Sequence, residues 1–261
     1  MPEMRRFAGK SIFVTGGGHG IGRAIALRLA EEGGRIAVSD IDRDAANAVA
    51  EEINRLGGSA FAILCDVMST ASVDVAISKT TEHFGGLNVL VNTAGGDYDE
   101  PGFEEIDDDL WFRKIDLNLT GTMRCIRAAL PHLIEAGSGS NVVSIGSING
   151  SAAFGGYPYS AAKAGLEIVT KNLAARYGRK GVRFNLVTPG TIRTRNWDGR
   201  EADLRRLAGT YPLGRVGEPA DIAAAVAFLA STDASWITGV NLPVEGGIMT
   251  GPLAFFGNDT E

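Results

Sequence analysis

The chain has 261 residues, a net charge of −6, and 44% hydrophobic against 21% charged residues. That composition fits a soluble globular protein and does not favour the basic face of a sequence-independent nucleic-acid binder. Cys65 and Cys125 lack CxxC spacing and read as reduced core thiols of a cytoplasmic protein; no apolar run is long enough to predict a signal peptide or a membrane span.

Short apolar runs alternate with helical patterns along the chain. SIFVT (11–15), RIAVSD (35–40), AFAILCD (60–66), LNVLVN (87–92), NVVSIGS (141–147), VRFNLV (182–187) and GVNLPV (239–244) predict strands too continuous in apolar residues to be half exposed. Between the first two, Ile21, Ile25 and Leu29 fall on one helix face. DRDAANAVAEEINRLGG has an acidic start and a Gly-Gly stop, and SVDVAISKTTEHFGG ends the same way. This alternation predicts a Rossmann-type doubly wound α/β fold, a seven-stranded parallel sheet with helices on both faces. No composition break divides it, so residues 1–261 read as a single dinucleotide-binding and catalytic domain.

The octet TGGGHGIG (15–22) lies between the first strand and the first helix. Free N–H groups and the positive dipole end of a helix N-terminus favour an anion. Glycine permits the tight turn, the close approach of a pyrophosphate, and helix-on-strand packing. Gly16, His19, Gly20, Ile21 and Gly22 are therefore the expected pyrophosphate turn. Asp40 at the tip of the second strand can accept hydrogen bonds from both hydroxyls of an adenosine ribose, and its charge would repel a 2′-phosphate. With His19 rather than arginine or lysine beside the glycines, the expected cofactor is NAD rather than NADP. Arg43 is the one nearby base that could reach a phosphate, and it also reads as an exposed first-turn helix residue.

In SINGSAAFGGYPYSAAKAG (147–165), Tyr159 and Lys163 are four residues apart and share a helix face, with Pro158 suited to the first turn. A tyrosine pKa of about 10 is too high for acid–base work near neutrality, and lowering it by three units takes about 4 kcal/mol. One desolvated lysine together with a positive nicotinamide can supply that. Ser147, read as the end of the fifth strand, sits where such folds open their ligand crevice.

Together these residues resemble the short-chain dehydrogenase/reductase family over nearly the whole chain. TGxxxGxG is matched by Thr15, Gly16, Gly20 and Gly22, the aspartate after the third strand by Asp66 with Val67, and the NAG turn by NTAG with Asn92. The central-helix asparagine is matched by Asn118, the serine by Ser147, YxxxK by Tyr159 and Lys163, and the PG turn by PGTIRT, Pro189 to Thr194. The resemblance implies that Tyr159 is the general acid/base and that Ser147 orients the substrate oxygen. It implies that Lys163 lowers the tyrosine pKa and binds the nicotinamide ribose, and that Asn118 holds a water in a proton relay. Asp66, Val67, Asn92, Pro189 and Gly190 would contact the cofactor, with Ile192 and Thr194 fixing the carboxamide. No metal is expected. The chain departs from the family pattern at Thr93, where a second asparagine is common, and at Gly146, where a serine is.

The resemblance implies an NAD-dependent oxidoreductase interconverting a secondary alcohol, or a cis-diol, and a ketone. An NADPH-dependent 3-oxoacyl thioester reductase is the alternative, and a catalytically silent dinucleotide sensor a more remote one. Substrate loops are expected at about 95–107 and 191–215. The arginines of the second loop, Arg193, Arg195, Arg200, Arg205, Arg206 and Arg215, alternate with Asp198, Glu201 and Asp203 and read as a solvated helix face, an anion-binding role staying open. Trp197 and Tyr211 would line an apolar pocket or pin a lid. The tail residues Leu253, Phe255 and Phe256 would complete a neighbouring site or bury against the core. The family habit implies a homotetramer acting on a small molecule, with no membrane and no nucleic-acid partner.

Overall fold

The computed structural model describes residues 5–96 and 100–251. Seven parallel strands form one sheet: β1 (Ser11–Thr15), β2 (Arg35–Asp40), β3 (Ser59–Leu64), β4 (Val89–Asn92), β5 (Ser140–Ile145), β6 (Val182–Pro189) and β7 (Asn241–Val244), in the order β3-β2-β1-β4-β5-β6-β7. The order reverses between β1 and β4, which opens a crevice beyond the carboxyl ends of those strands. The expected doubly wound fold is the observed one.

The continuous apolar runs follow from burial on both faces. Ile12 and Val14 of β1 pack into one layer with α1 (Gly20–Glu31), α2 (Arg43–Arg55) and α8 (Pro219–Ala230). Phe13, between them, points into the other layer, with α3 (Thr70–Phe84), α5 (Gly121–Ala136) and Ala174 of α6 (Tyr157–Tyr177). Two shorter helices, α4 (Asp108–Ile115) and α7 (Glu201–Ala208), flank the crevice loops. Local chemistry sets the helix ends. The Asp42 carboxylate accepts from Ala45 N at 3.1 Å to start α2, and Gly85, with φ of +75°, stops α3.

Strand boundaries shift from the sequence expectation for identifiable reasons. β4 starts at Val89 because the Asn88 carboxamide, not a main-chain carbonyl, accepts the Ser11 N–H at 3.0 Å. β7 starts at Asn241 because Gly239 turns at φ of +77°. β5 stops at Ile145, so Ser147 is not the end of the strand as expected. Gly146 N donates to Val187 O at 2.7 Å, and Ser147 then caps a 3₁₀ turn, Ile148–Gly150.

Candidate active site

A cavity of about 1280 Å³ opens along the carboxyl ends of β1 to β6. That exceeds the ~300–1,000 Å³ of an ordinary small-ligand pocket and suits a dinucleotide beside a small substrate. Gly16, His19, Gly20, Ile21, Gly22, Asp40, Asp66 and Val67 line it. So do Ser147, Tyr159, Lys163, Pro189, Gly190, Ile192 and Thr194.

The glycine turn is built for close approach. Gly16 and Gly20 have φ of +62° and +49°. A Cβ on Gly16 would lie 3.0 Å from the Ala94 backbone, and one on Gly22 would overlap the Gly16 carbonyl and stand 2.7 Å from the Thr93 hydroxyl. His19 enters α1 in an extended conformation and gives no side-chain cap, which leaves the first-turn N–H groups for an anion. Its imidazole instead pairs with Asp42, Nε2 to Oδ2 3.1 Å. Thr93, the departure noted in the sequence, ties β4 to β1: its hydroxyl donates to Thr15 O, and Thr15 Oγ1 accepts from the N–H groups of Thr93 and Ala94 at 3.0 and 3.1 Å.

Asp40 is buried, and its oxygens accept from Gly18 N and Asp42 N, both at 2.9 Å. The carboxylate is thereby held rigidly at the cavity wall. The lysine and arginines lining the cavity among the described residues are Lys163, Arg195 and Arg200; Arg43 is exposed on α2 and is not among them.

Two expected contacts are placed elsewhere. Asn92 is buried behind the cavity wall, where its amide donates to Ser144 Oγ at 3.2 Å, because β4 already pairs on both sides there. Asn118 is fully buried in a π-helical turn, Asp116–Thr120, and its side chain is consumed in holding the structure. Its Oδ1 accepts from Gly96 N at 3.0 Å, and its amide donates to Gly96 O and Lys114 O, both at 3.1 Å. The π turn interrupts the regular i→i−4 ladder at this residue.

Ser147, Tyr159 and Lys163 are brought together by packing of the 3₁₀ turn on α6. A Cβ on Gly150 would sit 2.7 Å from Lys163 C and Ala164 N, so only glycine allows this contact. Lys163 is buried, donates to Ile145 O at 2.9 Å, and lies 5.5 Å from the centroid of the Tyr159 ring. Burial lowers its pKa from 10.5 to about 8, since the charged form is stripped of water. The Ser147 hydroxyl donates to Asn149 Oδ1 at 3.0 Å and accepts from Asn149 N at 3.2 Å. Asn149 also lines the cavity, and the sequence reading passed over it. Only its place two residues after the serine could have drawn attention to it.

At the mouth, Tyr211 is buried and its hydroxyl accepts from Thr191 N at 2.7 Å, pinning the loop, while Arg200 stacks 4.6 Å from the Trp197 ring. The charged helix face is largely as read: Asp203 pairs with Arg200 and Arg206 at 3.3 and 3.1 Å, Asp221 with Arg215 at 2.6 Å, and Glu218 with Arg193 at 3.3 Å. Glu201, four residues before Arg205 on α7, accepts from Gly199 N at 3.2 Å rather than pairing with that arginine among the described residues. Arg195 lines the cavity with no ion pair among the described residues. Residues 97–99 of the first loop and the tail residues Leu253, Phe255 and Phe256 lie outside the described residues.

The family model described as enoyl-(acyl carrier protein) reductase matches residues 16–249. The chain belongs to the short-chain dehydrogenase/reductase family. Its relatives include 2,5-dichloro-2,5-cyclohexadiene-1,4-diol dehydrogenase of Sphingobium indicum, 39% identical over 94% of this chain and 98% of that one. Cyclohexanol dehydrogenase of an Acinetobacter species is 38% identical over 92% of this chain and 95% of that one. Among solved structures, a dehydrogenase/reductase from Sinorhizobium meliloti superposes with a TM-score of 0.87 at 37% identity, covering 95% of this chain and 98% of that one. No helix among the described residues is long and apolar enough to cross a membrane.

Proposed function

We propose that the protein is an NAD-dependent dehydrogenase that interconverts a secondary alcohol or cis-diol and a ketone. The observation that carries this reading is the convergence of Ser147, Tyr159 and Lys163 on the same cavity as the glycine turn and Asp40. The residues fit a dinucleotide: a cradle that any Cβ would fill, uncapped N–H groups at α1, and a fixed carboxylate where a ribose diol would bind. The relatives that act on cyclic alcohols and diols support a substrate of that kind.

When bound, the nicotinamide supplies the hydride acceptor. The protein supplies position and charge. Tyr159 Oη, as phenolate, takes the proton of the substrate hydroxyl. Lys163 favours that phenolate as a nearby ammonium, desolvated and without a carboxylate partner among the described residues. Ser147 donates to the substrate oxygen and stabilises the charge that develops on it. Asp40 accepts the adenosine ribose hydroxyls and disfavours a 2′-phosphate, which weighs against the NADPH-dependent thioester reductase. A homotetramer belongs to the proposal: Trp236 is 100% exposed, and Phe112 on α4 and Ile168 on α6 are also exposed, surfaces that subunit contacts would cover.

Thermal unfolding with NAD⁺, NADH, NADP⁺ and NADPH in parallel tests the cofactor reading. Ligand at one hundred times its Kd adds about 2.7 kcal/mol, so NAD(H) should raise Tm by several degrees and NADP(H) should not. A shift with NADP(H) alone overturns the NAD assignment. Tyr159→Phe should lower kcat by about 10²–10⁴-fold while sparing the NAD-induced shift, whereas the same loss from Tyr157→Phe would displace the catalytic assignment. Light scattering should give a tetramer at micromolar concentration; a monomer rejects that part.

A further inference from the structure

We propose that the substrate carries a second hydroxyl on the carbon next to the reacting one, and that Asn149 reads it. The inference rests on the reading of Ser147 as the substrate-oxygen donor and names the substrate class that reading leaves open. Asn149 spans two elements: its amide donates to Gly155 O at 3.0 Å, in the turn preceding α6, and its Oδ1 accepts the Ser147 hydroxyl at 3.0 Å. The first bond decides which end of the carboxamide faces the serine. A carbonyl such as that of Gly155 accepts only from the amide end, so Oδ1 must point at Ser147. Both residues line the cavity that contains Tyr159.

This arrangement has a cost for a simple alcohol. To donate to a substrate oxygen, the Ser147 hydroxyl must leave Asn149 Oδ1. A monohydric alcohol or plain ketone then leaves Oδ1 without its partner in a half-buried site, and an acceptor stripped of its hydrogen bond is unfavourable. A vicinal diol repairs the loss. Its reacting oxygen receives the Ser147 hydrogen while the neighbouring hydroxyl donates to Oδ1. The 3.0 Å between Ser147 Oγ and Asn149 Oδ1 is close to the separation of gauche oxygens on adjacent carbons, so both bonds form together. The main-chain N–H of Asn149 continues to donate to Ser147 Oγ and keeps it in place. In the reverse direction, an α-hydroxy ketone satisfies the same pair. Asn149 is thus a specificity-determining residue, and a site with such an acceptor discriminates against the analogue lacking the hydroxyl.

The test compares cis-cyclohexane-1,2-diol with cyclohexanol. Calorimetric Kd values are measured on Tyr159→Phe loaded with NAD⁺, so that binding is read without turnover, and kcat/KM is measured on the protein with Tyr159 intact. With Asn149 present, the diol should bind at least about tenfold tighter, the factor expected for one satisfied hydrogen bond and one avoided loss. Asn149→Ala should bring the two Kd values within about twofold of each other, chiefly by weakening the diol. An NAD⁺-induced rise in Tm retained in Asn149→Ala shows that the loss in this variant is not misfolding. Equal weakening of both ligands, or a diol preference that survives Asn149→Ala, overturns the proposal. Ser147→Ala separates the two readings: unchanged turnover there means that the underlying site assignment has failed, whereas lost turnover with no Asn149-dependent discrimination means that the diol inference alone has failed.

Discussion

Lys163 shows what a single burial event does to chemistry and stability together. Its folded pKa, about 8, lies below the unfolded value of 10.5 because the ammonium has been desolvated. Between those values the unfolded chain binds the extra proton, so stability rises as pH increases from about 8 to 10.5 and the charged lysine is a burden below that window. At 1.36 kcal/mol per unit the burden is about 3 kcal/mol. Urea unfolding of the ligand-free protein across this pH range should show the rise, and Lys163→Met should flatten it; an unchanged slope in the variant would assign the effect to other groups. Asp40 makes the complementary case. Asp40→Ser removes the acceptor for Gly18 N and Asp42 N and the charge facing a 2′-phosphate. NAD⁺ should bind about ten- to a hundredfold more weakly, as for loss of charged hydrogen bonds, while NADP⁺ binding becomes measurable by thermal shift. The identity of these residues was legible from strand-end position and i,i+4 spacing. The bonds that orient them were not, since Gly18 reaches Asp40 from the turn after β1 and Ile145 reaches Lys163 from the end of β5.

At the scale of elements, the site depends on turns that touch backbone to backbone. Gly150 lets the 3₁₀ turn after β5 rest on α6 at Lys163 and Ala164. Gly150→Ala must push these elements apart, because a Cβ would stand 2.7 Å from main-chain atoms. Overpacking of this kind costs about 1–3 kcal/mol, and here it separates Ser147 from Tyr159. Activity should fall by more than tenfold while the protein still unfolds cooperatively; a variant of full activity would show that the packing is not what aligns the pair. Strand and helix existence was readable from apolar runs and helix stops, but ends were not. β5 stopped short of Ser147 because a cap on the following turn took over, and Asn118 entered a π turn that no periodicity announces.

Across the whole molecule, the doubly wound sheet isolates two apolar layers, and both cysteines fall within the layer containing Phe13. Burial raises the pKa of Cys65 and of Cys125, so neither offers a thiolate near neutrality. A thiol reagent at pH 8 should therefore label neither until the fold opens, and labelling should track the global unfolding transition in urea. Rapid labelling of the native protein would contradict this packing.

The sequence by itself determined the order of strands and helices, the parallel sheet, and the family, because these rest on periodicity and on glycine, aspartate, tyrosine and lysine at fixed spacings along the chain. It also held the departures at Thr93 and Gly146 in plain view. Only the tertiary structure decided what the side chains do: that Thr93 staples β4 to β1, that Asn92 and Asn118 turn inward, and that Asn149 holds Ser147. Spacing along the chain specifies which face of an element a residue occupies. The partner across the crevice is set by packing between elements far apart in sequence, where a hydrogen bond forms only if two separate backbones arrive within about 3 Å.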